Sequence, residues 1–261
     1  LRDVKFNWNG TNYTMYNDSL VLMMNFDNRS VLGENDTHVK DLSRFNFSGT
    51  TYNGAKPNVS GKYNGAFTLD GLNDYIGIDV GSNLKYEGYD ITLAVWFNPT
   101  SSVAIDGDLI SKPWSGLGEY NYRLKYQNDQ TIWFELGENA TNTFSISSST
   151  IAPYESWHYI IATVNSSRNM AIYIDGVLSG TGTHNITNWT RNSPDTSIPL
   201  TIGTVYPYGE GWAGDWSFSI NGSIDEVRIW NRSLNANEIR EQYYSNLYKY
   251  NQTQWYLYVN Q

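Results

Sequence analysis

Apolar and aromatic positions recur with period two along most of the chain, in short runs closed by Gly, Asn, Asp or Pro. Alternation of that kind places one face of each run in a core and the other outside, the mark of β-strands. "SLVLMMNFDN" (19–28) is nearly continuous and predicts a buried strand, and "GAFTLDG" and "DYIGIDV" follow across a turn at Gly71–Asn73. "YDITLAVWFNPT" (89–100) is the longest regular run and stops at Asn98–Pro99, since a residue before proline leaves helical space and proline donates no ladder bond. "YNYRLKYQNDQTIWFELG" predicts a hairpin with its tip at Gln127–Gln130. A second hairpin runs from Trp157–Val164 through Asn165–Arg168 to Met170–Ile174, and Asp175–Gly176 then suits the positive φ angles of a type I′ turn. "PLTIGTV" and "FSINGSIDEVRIW" complete the set. Many strands joined by hairpin turns, without βα alternation or a fixed repeat, point to a sandwich or jelly roll.

One segment breaks the period. After "GSIDEVRIW", Asn235 stands where an N-cap belongs and Glu238 three residues on, as a capping box requires. Leu234 and Ile239 are spaced for a hydrophobic staple, and Tyr243 continues the stripe at i+4. A helix this short needs the sandwich behind it to be stable.

The chain has 261 residues, 40% hydrophobic and 15% aromatic, which is enough for a large β domain and argues against disorder. Only 16% are charged and the net charge is −9, with no basic run. Nucleic acid and anionic membrane are therefore poor partners. No apolar run approaches membrane-spanning length, so direct insertion is not expected. There is no cysteine, which excludes disulfides and thiolate metal sites. The sequence opens on "LRDVKF" without a signal peptide and reads as a processed piece of something longer.

Asn-x-Ser/Thr triplets occur at Asn9, Asn12, Asn17, Asn28, Asn35, Asn46, Asn58, Asn139, Asn165, Asn185, Asn188, Asn221, Asn231 and Asn251. They point to an N-glycosylated protein of the cell surface or extracellular space. The alternative is composition alone, because Asn and Ser also favour turns.

Five separated stretches, in order, resemble the laminin-G-like jelly-roll domains of the concanavalin-A-like superfamily. They are "VKDLSRFNFSGTTYNG", "AFTLDGLNDYIGI", "ITLAVWFNP", "WHYIIATVNSSRNMAIYIDGV" and the closing "NGSIDEVRIWNRSLNANEIREQYY". The resemblance implies an all-β, two-sheet antiparallel jelly-roll sandwich with one short C-terminal helix, of about six or seven strands per sheet. It covers residues 19–246. Residues 1–18 then read as an N-terminal linker or edge segment, and 247–261 as a C-terminal linker or the first strand of a following domain. Those flanks resemble linkers in large archaeal-type surface proteins. The resemblance also implies a structural calcium ion tying an early strand to the last, at positions matched here by Asp27 and Asp225, with carbonyls of Thr51–Gly54 completing the shell. Ordinary turn and backbone hydrogen bonds are the alternative role for both aspartates.

Fold alone does not give function. The Glu-x-Asp-x-x-Glu run of laminarinase-type hydrolases on this fold is absent. Glu135 and Glu138, and likewise adjacent Asp225 and Glu226, point to opposite strand faces. His38, His158 and His184 lie far apart, with no nucleophile motif beside them. No enzyme activity is expected. Binding is the better expectation, because two Gly-rich loops carry aromatics on which sugar rings stack. "SKPWSGLGEYNY" holds Trp114, Tyr120 and Tyr122, and "VYPYGEGWAGDWSF" holds Tyr206, Tyr208, Trp212 and Trp216. The same aromatics alternatively cover the sandwich edge or meet a neighbouring domain, whereas Trp96, Trp133, Trp157 and Trp230, in regular strands, read as packing. The expected function is a non-catalytic extracellular recognition or adhesion module for a glycan or cell-surface protein. The alternative is a structural repeat of a surface layer or filament, whose partners are adjacent domains or copies of itself.

Overall fold

The computed structural model describes residues 3–80, 84, 89–100, 106–113, 120–139, 142–186, 198–205 and 218–259. Two antiparallel sheets, each of eight strands, make the sandwich. Numbered in chain order, the front sheet runs β13 (Asn142–Ser147), β12 (Ile132–Asn139), β11 (Tyr120–Tyr126), β10 (Gly107–Pro113), β17 (Leu200–Ile202), β8 (Tyr75–Ile78), β5 (Gly49–Tyr52) and β4 (His38–Val39). The back sheet runs β16 (Val177–Thr183), β15 (Asn169–Ile174), β14 (His158–Val164), β9 (Ile91–Pro99), β18 (Asn221–Trp230), β7 (Gly65–Asp70) and β6 (Lys56–Tyr63), with β3 (Leu20–Met24) pairing along the second half of β18. The expected six or seven strands per sheet are thus exceeded. The additions are β4, only two residues long, and β6, which carries Pro57 and Gly61 and lies at a sheet edge. Proline and glycine are tolerated there because one side of an edge strand has no ladder to serve.

Strand alternation builds the core. Across the front sheet, Ile146, Phe134, Leu124, Ile110, Ile202 and Ile76 are direct cross-strand neighbours. They meet Phe67, Leu93, Phe97, Ile160, Ile172 and Ile224 of the back sheet in the main core. All of these but the partly buried Ile146 are fully buried, and such side chains, each contributing about 1.5–3 kcal/mol on burial, supply much of the driving force.

The back sheet is covered on its other face too. Ala94, Trp96, Tyr159, Ile161 and Trp230 form a second core with Met15, Tyr16, Leu234, Ile239 and Leu247. The cover has three parts. One is a hairpin of β1 (Val4–Trp8) and β2 (Thr11–Tyr16), turning at Asn9–Gly10 with both φ angles positive. The second is helix α1 (Ala236–Tyr244), with the expected Asn235 cap and reciprocal Glu238 contact. The third is a hairpin of β19 (Ser245–Lys249) and β20 (Trp255–Val259). Trp255 packs edge-on against Tyr16, and Tyr258 stacks on Tyr63 and Tyr248. Both terminal segments are therefore laid onto the sandwich. The Asn-Gly pair within "NWNGTNYT" is the sequence signal for the first hairpin.

Candidate functional site

The face of the front sheet turned away from the core carries polar residues one position along from each apolar one. Its cross-strand neighbours form a row: Ser145, Glu135, Arg123, Ser111, Thr201, Gly77 and Thr50. A second row holds Ser147, Trp133, Lys125 and Asp108. Arg123 is hydrogen-bonded to Glu135 through its Nε, and its guanidinium lies 4.0 Å over the Tyr120 ring. Lys125 Nζ and Arg123 Cζ stand 5.4 and 5.7 Å from the Phe218 ring centre.

Asp108 is the anomaly of this face. It is 0% exposed, yet neither carboxylate oxygen has a hydrogen-bond partner among the described residues, and the same holds for the buried Ser111 hydroxyl. Burial pushes the Asp108 carboxyl up to about 6, against the pull of the Arg123 and Lys125 charges and of the nearby Ser111 hydroxyl and with a further push from Glu135. An unpaired buried carboxylate costs several kcal/mol, so its position needs a reason. The sequence hint was the aspartate and serine in "GDLISKP", an otherwise wholly buried strand.

The back sheet's outer face holds a different charge cluster. At Glu226 (φ +49) the register of β18 against β9 slips, so that Asp225 faces Trp96 and Arg228 faces Ala94. The bulge corrects the expectation that Asp225 and Glu226 diverge: the Glu226 charge helps raise the Asp225 carboxyl, and both are buried. Arg228 donates to Glu226 and Gln242 at 2.8 Å and to Asn246, which in turn donates to Glu226.

Asp27 and Asp225 clamp one backbone segment. Asp27 accepts from the Gly65 amide and Asp225 from the Tyr63 amide, both at 3.0 Å. Burial pushes Asp27 up to about 7, with Glu226 and Glu34 adding to it. Burial, Glu226 and Asp27 together raise Asp225 well above the carboxylate range. Beside them the Asn25 Oδ1 is buried without a partner among the described residues. Two carboxylates and an amide oxygen are hard ligands that suit calcium. Among the described residues no group of three or more His, Asp or Glu side chains converges as a metal cage. In the Thr51–Gly54 loop, Asn53 donates to Asn73 O and Gly54 abuts Asp74.

The aromatic loops are only partly placed. Trp114, Tyr206, Tyr208, Trp212 and Trp216 lie outside the described residues. Tyr120 opens β11 rather than sitting in a loop, and it is buried. Tyr122 points into the main core and donates to Leu84 O at 2.8 Å. Trp133, expected to serve packing, is instead half-buried on the polar outer face.

None of the triplet asparagines whose side chains are described is buried, while Asn188 and the Asn139 side chain fall outside the described set. Asn9, Asn12, Asn35, Asn46, Asn185 and Asn231 are exposed, and Asn17, Asn28, Asn58, Asn165, Asn221 and Asn251 are half-buried. Several of them also make turns of their own: Asn17, Asn35, Asn58 and Asn251 each accept from the amide two residues on.

The expectation that no nucleophile stands beside a histidine is corrected. Ser156 Oγ lies 2.8 Å from His158 Nε2, and His158 Nδ1 lies 2.8 Å from Asp175 Oδ2. The Asp175 Oδ1 accepts from the Tyr159 amide at 2.8 Å, and Ser156 Oγ also lies 3.2 Å from Pro153 O. The chain thus ties the Asp175–Gly176 turn back to the start of β14. Among the described residues no helix is long and apolar enough to cross a membrane.

Known structures share this fold at low sequence identity. The binding domain of Paraclostridial Mosquitocidal Protein 1 is 17% identical over 87% of this chain and 52% of its own, with a TM-score of 0.64. A Trypanosoma rangeli sialidase is 16% identical over 91% of this chain and 34% of its own, also at 0.64. Domain 4 of AbnA, a GH43 extracellular arabinanase from Geobacillus stearothermophilus, seen in complex with arabinotriose, is 17% identical over 85% of this chain and 97% of its own, at 0.58. The chain therefore spans about half of the toxin binding domain and a third of the sialidase, but nearly all of the arabinanase domain. Comparison with curated proteins finds no match. Residues 70–240 match the Laminin_G_3 family model, and the chain belongs to that family of the concanavalin A-like lectin/glucanases superfamily.

Proposed function

We propose that this domain is a non-catalytic glycan-recognition module of an extracellular or cell-surface protein. The observation that carries the reading is the outer face of β10–β12, where half-buried Trp133, Phe218 and Arg123 lie beside Glu135 and Lys125. A few convergent polar groups beside aromatic rings are what a sugar site requires. The similarity to a domain seen with arabinotriose supports the same reading. Trp114, Tyr208, Trp212 and Trp216 are proposed to extend the contact from the loops, and the partner is a free glycan or one carried on a cell-surface protein. A glycan array probed with the whole chain tests this. Binding to at least one oligosaccharide, weakened by Trp133→Ala, is expected, and no binding to any glycan sinks the proposal. The Ser156–His158–Asp175 chain is a hairpin tie in this reading, so a fluorophosphonate probe should leave Ser156 unlabelled. Labelling at that residue would instead reveal a hydrolase.

One structural calcium belongs to the same proposal. Asp27 and Asp225 would hold it with Asn25, and its charge would relieve two buried carboxylates that now repel each other. The ion would thereby fasten β18 to the start of the chain. Melting in Ca²⁺ and in EDTA checks it. A higher Tm with Ca²⁺ that vanishes in Asp225→Ala is expected, and equal melting in both buffers overturns it. The exposed triplet asparagines are proposed to carry N-glycans, and a mass shift on peptide N-glycosidase treatment of the secreted protein is the check.

A further inference from the structure

The β19–β20 hairpin presents an open strand edge. We propose that β20 pairs antiparallel with β20 of a second copy of this chain, so that the two hairpins form one sheet. The proposal does not rest on the recognition reading, and its surface lies on the other side of the sandwich from the polar face.

The hairpin enters the fold edge first. In β19, Ser245, Asn246, Leu247 and Tyr248 are buried, and Leu247 O accepts from Arg228 at 3.4 Å. In β20, Tyr256, Tyr258 and Val259 are 44, 42 and 39% exposed. β19 is thus the inner strand and β20 the outer one, and among the described residues β20 pairs with β19 alone. The ladder shows which backbone groups are left over. Tyr250 donates its amide to Gln254 O at 2.9 Å, and bonded and non-bonded pairs alternate from there along the register. Tyr248–Tyr256 and Asn246–Tyr258 are therefore the bonded pairs. The amides and carbonyls of Trp255, Leu257 and Val259 point to the open side, just as the Leu247 carbonyl points to Arg228 on the inner side.

A row of free backbone donors and acceptors is completed by another strand. Other edges of this molecule are guarded against that. β6 carries Lys56, Pro57, Gly61 and Lys62, β1 carries Lys5, and β4 has only two residues. β13 and β16 close on each other, since a side chain at Gly180 or Gly182 would strike Ser147 or Ile146. β20 reads WYLYV, with no charge, proline or glycine. An uncharged strand meets no like charge when it faces itself, so a second copy fits it. An antiparallel pair centred on Leu257 sets the two Leu257 residues opposite each other, exchanging both bonds, and sets Trp255 opposite Val259. It also places Tyr256 of one copy beside Tyr258 of the other. These rings extend the stack that Tyr248 already makes with Tyr256 and Tyr258, at 5.5 and 5.2 Å between ring centres. Aromatic pairs of this kind stabilise a sheet across its strands.

The test is sedimentation velocity of the whole chain over a concentration series, with residue-resolved amide exchange. A micromolar monomer–dimer equilibrium is expected, closing at two copies because a two-fold axis through Leu257 uses the edge up. Leu257→Pro should abolish the dimer, since proline removes the central donor and that amide serves no bond to β19. Val259→Lys should weaken dimerisation roughly tenfold or more by setting charge on the seam. Leu178→Lys, at an exposed position of β16, should leave it unchanged. Raising the concentration should slow exchange at the Trp255, Leu257 and Val259 amides and leave those of Tyr256 and Tyr258, already bonded to β19, as they were. A chain that stays monomeric up to roughly 0.5 mM overturns the proposal. A dimer that survives both Leu257→Pro and Val259→Lys overturns it too, because another surface then holds the copies. A dimer in which the Leu257 amide exchanges no more slowly overturns strand pairing in favour of contact between tyrosine faces. Oligomers that grow beyond two copies overturn the two-fold arrangement. If Leu257→Pro lowers Tm sharply, Val259→Lys, at an exposed side chain, decides alone.

Discussion

The two sheets bury charge on their outer faces in opposite ways. On the back sheet, Arg228 is held by Glu226, Gln242 and Asn246, residues contributed by β18, α1 and β19, and the helix and both terminal hairpins close over that face. On the front sheet, Asp108 is buried just as deeply and its oxygens are left without partners among the described residues. Charge that is paired across several elements fixes how those elements sit. Charge left unpaired costs stability. The contrast teaches that equal burial can hide unequal pairing of charge.

The largest expected effect lies on the back sheet. Arg228→Met removes the only cation bonded to Glu226 among the described residues and strands that carboxylate under the helix. Breaking a buried pair on one side costs about 3–5 kcal/mol. Urea unfolding of the variant should show a loss of that size, together with early release of the β19–β20 hairpin. A loss below about 1 kcal/mol would mean that the hairpin and helix hold their places by apolar contact alone.

Asp108→Asn should move stability the other way and in a pH-dependent manner. The folded carboxyl titrates at about 6, above the roughly 3.9 of an unfolded aspartate. Between those values the native state holds the proton more tightly than the unfolded state does. Its contribution to stability is therefore complete below about pH 4, is lost as pH rises to about 6, and stays lost above. Asparagine carries no such titration. The variant should gain on the order of 2 kcal/mol on the wild type at pH 7 and lose that advantage near pH 4. Parallel stability–pH curves for the two proteins would show that Asp108 is not desolvated, and the difference between the two faces would then disappear.

Most of the fold was legible in the chain. Period-two alternation located the long strands because each turns one face to the core between the sheets, and the Asn235–Glu238 cap was readable because capping is a local device. What escaped was set by partners distant in sequence. The bulge at Glu226 puts Asp225, Glu226 and Arg228 on one face, and no alternation rule anticipates a slip that only the pairing with β9 defines. Asp108 looked like one polar residue among several, and its isolation follows from neighbours 15 and 27 residues away, Arg123 and Glu135. Trp133 follows the same rule: whether a tryptophan in a regular strand faces the core or the outer side is set by its pairing, here with Lys125. The Asn-Gly turn at Asn9–Gly10 is different, since the signal was local and simply short.

The smallest effect separates the cover of the back sheet from the charges beneath it. Asn235 accepts from the amides of Asn237 and Glu238, and Glu238 reaches back to the Asn235 amide and across to Arg232. Asn235→Ala removes the acceptor for two orphan amides at the helix start while leaving Glu226, Arg228 and Asn246 untouched. It should cost about 1 kcal/mol, read as a modest fall in Tm, with the Asp108 pH dependence unaltered because that carboxyl belongs to the other sheet. Amide exchange should quicken in the first turn of α1 and stay slow in β18. If exchange quickens in β18 as well, the helix cap and the Arg228 cluster open as one unit, and the back face is held by a single cooperative cover rather than by a charge network with a helix laid over it.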